Sequence, residues 1–385
     1  MILIVGNLIY INSRKENIEI QGIQSEYNAE LQENEHMHLE EDESGDKIPV
    51  PNGYVGSKAT GEYEIDTGYV IYEGIEEVND SNVEEAQKTR NQYVWVPVPD
   101  ASKMYGTDKN GKKWGKLYEF TTDTGEDIDE RTGTKPLNWN ESNGIMEIID
   151  NNGYREPDKI RHMKNNLDMD SIVKTSMIGV ETTHELLVQL EQEFNEMIES
   201  VERYGGFYIG RYETGDISKD KVIVRKRNLD IGGSQSWYTL YGKCKNLKNE
   251  NIDVETGMVW GSQWDRTLIW LIESGNKTKE QICIDSSTWG NCRNSEFEYT
   301  SSNGVISKKE AGYSIKISTG IAEYTKANNI YDLAGNNSEW TTEAWSDRRV
   351  FRGGNCYSDS ATVKGRNGYF PTDTSWGCRA MLYIK

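Results

Sequence analysis

Proline and histidine are scarce in this 385-residue chain, with seven and four copies, and no long hydrophobic run occurs anywhere in it. The most apolar stretch is residues 1–10, well short of the roughly 20 residues that span a bilayer, so a transmembrane helix is not expected. That stretch also lacks the basic start and small-residue cleavage site of a signal peptide. The expectation is a cytoplasmic protein, or one whose export signal lies upstream. There is no CxxC pair among Cys244, Cys283, Cys292, Cys356 and Cys378, and with so few histidines a Cys/His zinc cage is excluded. An odd thiol count allows at most two bridges and leaves the redox compartment open. Basic residues are in deficit, 43 against 63 acids, for a net charge of −20. Such a chain repels phosphate backbones, which excludes nucleic acid as the main partner. No GxSxG elbow supports a serine hydrolase, and no period of solenoid or propeller type appears.

Aromatic residues and glycine are abundant instead, with 11 Trp, 22 Tyr and 36 Gly. Eight of those Trp follow residue 230, which places the densest core in the second half. Low aliphatic content with frequent Gly and Asn suits irregular loops pinned on a few strands better than an all-helical fold. Residues 1–46 carry eleven acids and few bases and are expected to form a solvated, flexible acidic tail. Residues 47–92 read as short β segments broken by Gly and Pro turns, leading into a core domain over 93–385. Tyr93-Val-Trp-Val-Pro97 predicts the first core strand, and polar residues 101–165 predict a long surface insertion. Leu186, Leu187, Leu190, Phe194, Met197, Ile198 and Val201 recur at helical spacing, with Thr182 or Thr183 as cap and Gly205-Gly206 as terminator. A strand over 207–212, a second helix over about 262–273 and a closing strand over 379–384 complete the expected elements.

Three ordered stretches are more specific than composition. They are Gly206-Phe-Tyr-Ile-Gly-Arg-Tyr-Glu-Thr214, then Val259-Trp-Gly-Ser-Gln-Trp-Asp265, then Tyr331-Asp-Leu-Ala-Gly-Asn-Asn-Ser-Glu-Trp-Thr341 followed by Arg349-Val-Phe-Arg-Gly-Gly-Asn355 and Gly377-Cys-Arg-Ala380. Together they resemble the formylglycine-generating enzyme (sulfatase-modifying factor) family, a branch of the C-type lectin-like fold. The resemblance covers roughly residues 93–385 and is most specific in the C-terminal block. It implies an α+β class, with short twisted sheets, two main helices and much irregular loop. It is also similar to domains of surface and phage-encoded proteins, which implies an extracellular or cell- or phage-surface location.

The Gly335-Asn336 turn places Glu339 close enough for its carboxylate and nearby carbonyls to face one point, an oxygen set that suits calcium. The resemblance carries calcium ligation onto the backbone oxygens of Ala334, Gly335 and Asn337 and the side chain of Glu339. The alternative is that Glu339 pairs with an arginine or caps the loop amides. Arg352 and Arg379 are suited to hold carboxylates or carbonyls in a loop-rich interior. Formylglycine formation in the family relies on two cysteines after the RGG motif that bind copper, a soft-ligand site. Those positions here are Ser358 and Val363, neither of which replaces a thiolate. Cys356 and Cys378 stand where the family carries aromatics. Bridged, they would tie the loop to the last strand; apart, they are small buried groups.

The catalytic residues being absent, the resemblance implies a binding scaffold. The loop between Asn355 and Gly377 offers Tyr357, Asp359, Ser360, Thr362, Lys364, Asn367, Tyr369 and Phe370 to a protein or glycan ligand, a composition like that of antibody loops. Two other readings stay open: a divergent oxygen-dependent oxidase, and a structural domain of a surface assembly.

Overall fold

A computed structural model describes residues 31–107, 111–120, 135–136, 139–140, 145–146, 154–157, 169–176, 179–301, 304–345, 348–359 and 362–385. In chain order the strands used below are β1 (Met37–Glu41), β2 (Lys47–Pro51), β3 (Tyr54–Gly56), β4 (Val70–Glu73), β5 (Gln92–Pro97), β6 (Tyr154–Arg155), β7 (Gly206–Gly210), β8 (Val254–Met258), β9 (Phe297–Thr300), β10 (Ile306–Lys309), β11 (Glu339–Trp345), β12 (Arg348–Arg352), β13 (Asn367–Tyr369), β14 (Gly377–Cys378) and β15 (Ala380–Ile384). The helices are α1 (Val83–Thr89), α2 (Met169–Ser176), α3 (Thr183–Tyr204), α4 (Trp237–Lys245), α5 (Gly261–Glu273) and α6 (Lys279–Cys283). The class is α+β.

Six strands form the larger sheet in the order β8-β15-β7-β5-β4-β3, with every neighbour antiparallel. Its centre is β5, in which all six residues are buried, because alternating Tyr, Val and Trp present apolar surface to both faces. The second sheet runs β6-β11-β12-β13, and β14 joins β11 in parallel, pairing Glu339 with Gly377 and Trp340 with Cys378. Helix α3 begins in a capping box: Thr182 Oγ1 accepts the Glu185 N–H, and the Glu185 carboxylate accepts the Thr182 N–H. It ends at Gly205, whose φ of 74° is left-handed. Leu186, Leu190, Phe194, Met197, Ile198 and Val201 line its buried face, and each such side chain contributes about 1.5–3 kcal/mol by leaving water. Helix α5 buries Trp264, Leu268 and Leu271 as expected, and with them the charged Asp265 and Arg266. Among the described residues no helix is long and apolar enough to cross a membrane.

One expectation changes. Residues 37–41 of the acidic stretch form β1 and pair with β2, from Met37 opposite Pro51 to Glu41 opposite Lys47. Local donors replace water there: the Glu40 carboxylate accepts the Gly56 N–H at 2.8 Å and the Tyr69 hydroxyl at 3.1 Å. Residues 1–30 of that stretch lie outside the described residues. The expected insertion over 101–165 is anchored at both ends. Trp114, Leu117 and Phe120 are buried, and β6 extends the second sheet by pairing Tyr154 with Trp345.

Candidate functional site

The Gly335-Asn336 turn builds the base of the second sheet. Gly335 (φ 78°) and Asn336 (φ 53°) are both left-handed, and a Cβ on Gly335 would meet the Asn291 carbonyl oxygen at 2.3 Å. The Asn336 amide group donates to Glu213 Oε2 at 2.6 Å and to the Ile317 carbonyl at 3.1 Å. Its oxygen accepts from Ile317 N and Asn291 Nδ2, each at 3.0 Å. The Asn337 N–H donates to Glu213 Oε1, and the Asn337 side chain donates to the Ile231 carbonyl. The Ala334 carbonyl accepts the Asn291 N–H.

Glu339 meets Arg379. The guanidinium donates to Glu339 Oε2 at 2.9 Å and Oε1 at 2.6 Å, and it also holds the carbonyls of Gly210 and Tyr331. Burial raises the Glu339 carboxyl to about 7 against the pull of Arg379. Burial, then the neighbouring Asp332 and Glu339 carboxylates, push Glu213 well above the usual range. Of the two outcomes open for Glu339, the arrangement is the arginine pair. Arg379 engages both carboxylate oxygens, one hydrogen bond to each.

A second buried network joins α5, β11 and β12. Asp265 from α5, Glu343 from β11 and Arg352 from β12 are wholly buried, and Arg366 is almost so. Arg352 donates to Asp265 at 2.7 Å and to Glu343 at 3.1 Å. Arg366 donates to Glu343 at 2.6 Å and also to Asp265. Two cations balance two anions, so the cluster is neutral as a set. Its free donors fix main chain: Arg352 holds the carbonyls of Lys364 and Gly365, and Arg366 holds that of Tyr118. Glu156 lies alongside, accepting the Ser262 N–H at 2.9 Å. Burial raises its carboxyl to about 8, with the Glu343 and Asp265 charges adding to the effect. The RGG arginine thus acts on the loop that carries the candidate ligand residues, and it positions them without touching solvent.

Those residues fall into two groups. Tyr357 projects with 65% of its surface exposed, beside Asp359, which pairs with Arg293. Tyr369, 42% exposed, makes edge contacts with Phe370 and Trp376. Arg348 lies 5.0 Å over the Phe370 ring and 5.7 Å over Trp345, which stacks on Tyr154. Asn367 is exposed on β13 opposite Phe351. Lys364 turns inward to the Phe120 carbonyl and so ties the loop to the insertion, and the Thr362 carbonyl accepts the Gly365 N–H within the loop. Ser360 lies outside the described residues.

At the two positions expected for copper thiolates, Ser358 accepts the Arg293 N–H through its carbonyl, and Val363 is fully buried. The thiol that faces Cys378 is Cys244, at 3.6 Å, so the expected Cys356–Cys378 bridge is not the arrangement seen. All five cysteines are free and buried. Burial pushes the Cys356 thiol up to about 11, which opposes the thiolate that copper requires. Among the described residues no group of three or more His, Cys, Asp or Glu side chains is arranged to hold a metal ion.

No family model and no curated protein matches the chain.

Sequence reasoning reached Arg352, Arg379 and Glu339 through their motifs. It missed Glu156, Asp265, Glu343, Arg366 and Glu213 as network members. Asp265 and Glu343 stood in or beside the quoted stretches, but nothing local marks Glu156 or Arg366 as buried.

Proposed function

We propose that this chain is a non-catalytic binding protein on a C-type lectin-like scaffold of the formylglycine-generating-enzyme type, and that it recognises a protein or glycan at a cell or phage surface. The observation that carries the proposal is the contrast around the RGG arginine. Ser358 and Val363 stand where thiolates are needed, while the same loop exposes Tyr357 and Tyr369 on a frame held by Arg352 and Arg366. Exposed tyrosines on a rigid frame bring large contact area at low conformational cost. Partly exposed Phe370, Trp345 and Trp376 with the Arg348 cation extend that surface, and aromatic faces of this kind suit the apolar faces of sugar rings as well as peptide side chains.

Two experiments test the proposal. The first screens the full chain on a glycan array and on intact bacterial cells. Tyr357→Ala, Tyr369→Ala and Phe370→Ala together should abolish the signal in a protein that still melts cooperatively, with a modest drop in melting temperature from loss of the Phe370 packing. An unaltered binding profile overturns the proposal. The second incubates the protein with copper, oxygen, a thiol reductant and a sulfatase-type cysteine peptide. Conversion of the peptide thiol to an aldehyde overturns it; an unchanged peptide mass is the expected result.

A further inference from the structure

Cys244 on α4 and Cys378 on β14 bring their sulfurs to 3.6 Å, both residues being completely buried. The contact joins positions 134 residues apart. Neither sulfur sits on a loose segment. Helix α4 is capped by Ser236, and Trp237 fixes its first turn by donating its N–H to the Pro371 carbonyl and its Nε1–H to the Thr341 carbonyl. Trp237 also stacks on Tyr241, at 5.0 Å between ring centroids. On the other side, Cys378 runs in parallel register with Trp340, and its carbonyl accepts the Thr214 N–H at 3.0 Å. Two rigid elements therefore present two thiols to each other and to no other cysteine.

We propose that Cys244 and Cys378 form a disulfide when the chain folds in an oxidising environment, stapling α4 to the base of the second sheet. The oxidant is a small-molecule disulfide such as oxidised glutathione. One cysteine thiolate attacks it and releases one glutathione thiol. The second cysteine then attacks the resulting mixed disulfide and releases the other glutathione thiol. Two protein thiols lose two electrons in total, the oxidant gains them, and both protons end on glutathione. The sulfurs close from 3.6 Å to the bonded separation of about 2.05 Å by side-chain rotation and a small backbone shift. The contact with Cys244, in which the Cys378 thiol is held protonated, and burial both push Cys378 up, which slows oxidation of the finished fold. The bond is accordingly a structural staple made during folding, with Cys283, Cys292 and Cys356 remaining as thiols.

The test is a disulfide map of the full chain, refolded in a glutathione redox buffer, alkylated and then digested without reduction. The same map is made on protein secreted into a bacterial periplasm, which removes any dependence on refolding in vitro. The expected result is one cross-linked peptide pair, Cys244 with Cys378, three alkylated cysteines, and a melting temperature roughly 5 °C above that of the reduced protein. Cys356→Ser keeps the cross-link and the shift, and Cys244→Ser loses both. Full alkylation of Cys244 and Cys378 in cooperatively melting oxidised protein overturns the proposal, as does a cross-link of Cys378 to any other cysteine.

Discussion

Arg352 donates to Asp265 across 2.7 Å, and neither side chain reaches solvent. The same guanidinium reaches Glu343 and the carbonyls of Lys364 and Gly365, so a single residue ties α5 and β11 to the loop ahead of β13. Removing one partner of a buried ion pair strands the other charge in a poor solvent. Arg352→Met is therefore expected to lower the unfolding free energy by about 3–5 kcal/mol in a urea titration. Adding Asp265→Asn to it should cost less than the sum of the two single changes, because the stranded carboxylate is then gone. A loss below about 1 kcal/mol would show that this network does not hold the loop.

Glu156 fixes a pH dependence. Its carboxyl is raised to about 8 by burial, from an ordinary value of 4.5. Between those values the folded chain keeps a proton that the unfolded chain has released, so this group makes stability fall as pH rises, by up to about 1.4 kcal/mol per pH unit. Glu156→Gln keeps the shape and removes the titration. The variant is expected to match wild type near pH 5 and to exceed it near pH 8, by a gap on the order of 2 kcal/mol that opens steadily between the two. Parallel melting curves across that range are the measurement, and a constant gap would mean that Glu156 is ionised in the fold.

Where the pattern was local, the sequence was legible. The i, i+3, i+4 spacing from Leu186 to Val201 located α3 within a residue at each end, and Tyr93-Val-Trp-Val-Pro97 located β5. Helix α4 was not legible, because Trp-Tyr-Thr-Leu-Tyr-Gly reads as strand or loop by propensity. Its helicity rests on tertiary contacts, the Trp237–Tyr241 stack and the bonds of Trp237 to Thr341 and Pro371. The site divides in the same way. Arg352 is visible through its RGG motif, but its partners come from α5, β11 and the loop ahead of β13, and no local spacing marks pairs 87 positions apart. Glu156 was hidden further, inside a polar stretch whose composition reads as solvated surface.

At the lower network, Arg379 holds both oxygens of Glu339 while Glu213 and Asp332 lie close by. Replacing Arg379 with Gln leaves these carboxyl groups without their cation. The expected loss is about 3–5 kcal/mol near pH 8. It should be smaller near pH 5, where protonation of Glu339, already raised to about 7 by burial, relieves the uncompensated charge. With the arginine in place, excess EGTA should leave the wild-type melting temperature within about 1 °C, since an ion bound only to the folded state would raise it by mass action. A chelator-induced drop of several degrees would put a metal at this turn in spite of the ion pair.

Gly261 opens α5 between two carboxyl groups. A Cβ there would stand 2.6 Å from Glu343 Oε2 and 2.9 Å from Glu156 Oε2. Helix propensity favours Ala over Gly by about 1 kcal/mol, so at an open site Gly261→Ala would stabilise. Here the neighbours have nowhere to go: Glu343 is gripped by Arg352 and Arg366, and Glu156 by Ser262. Overpacking of this kind costs about 1–3 kcal/mol, with the displaced ion pairs in addition, and it outweighs the propensity gain. Gly261→Ala is expected to destabilise by roughly 2 kcal/mol in urea, and Glu156→Ala should recover part of that loss by vacating one of the two clashing positions. A Gly261→Ala protein more stable than wild type would mean that the two carboxyl groups stand back from the helix start, and with them the whole Arg352 cluster.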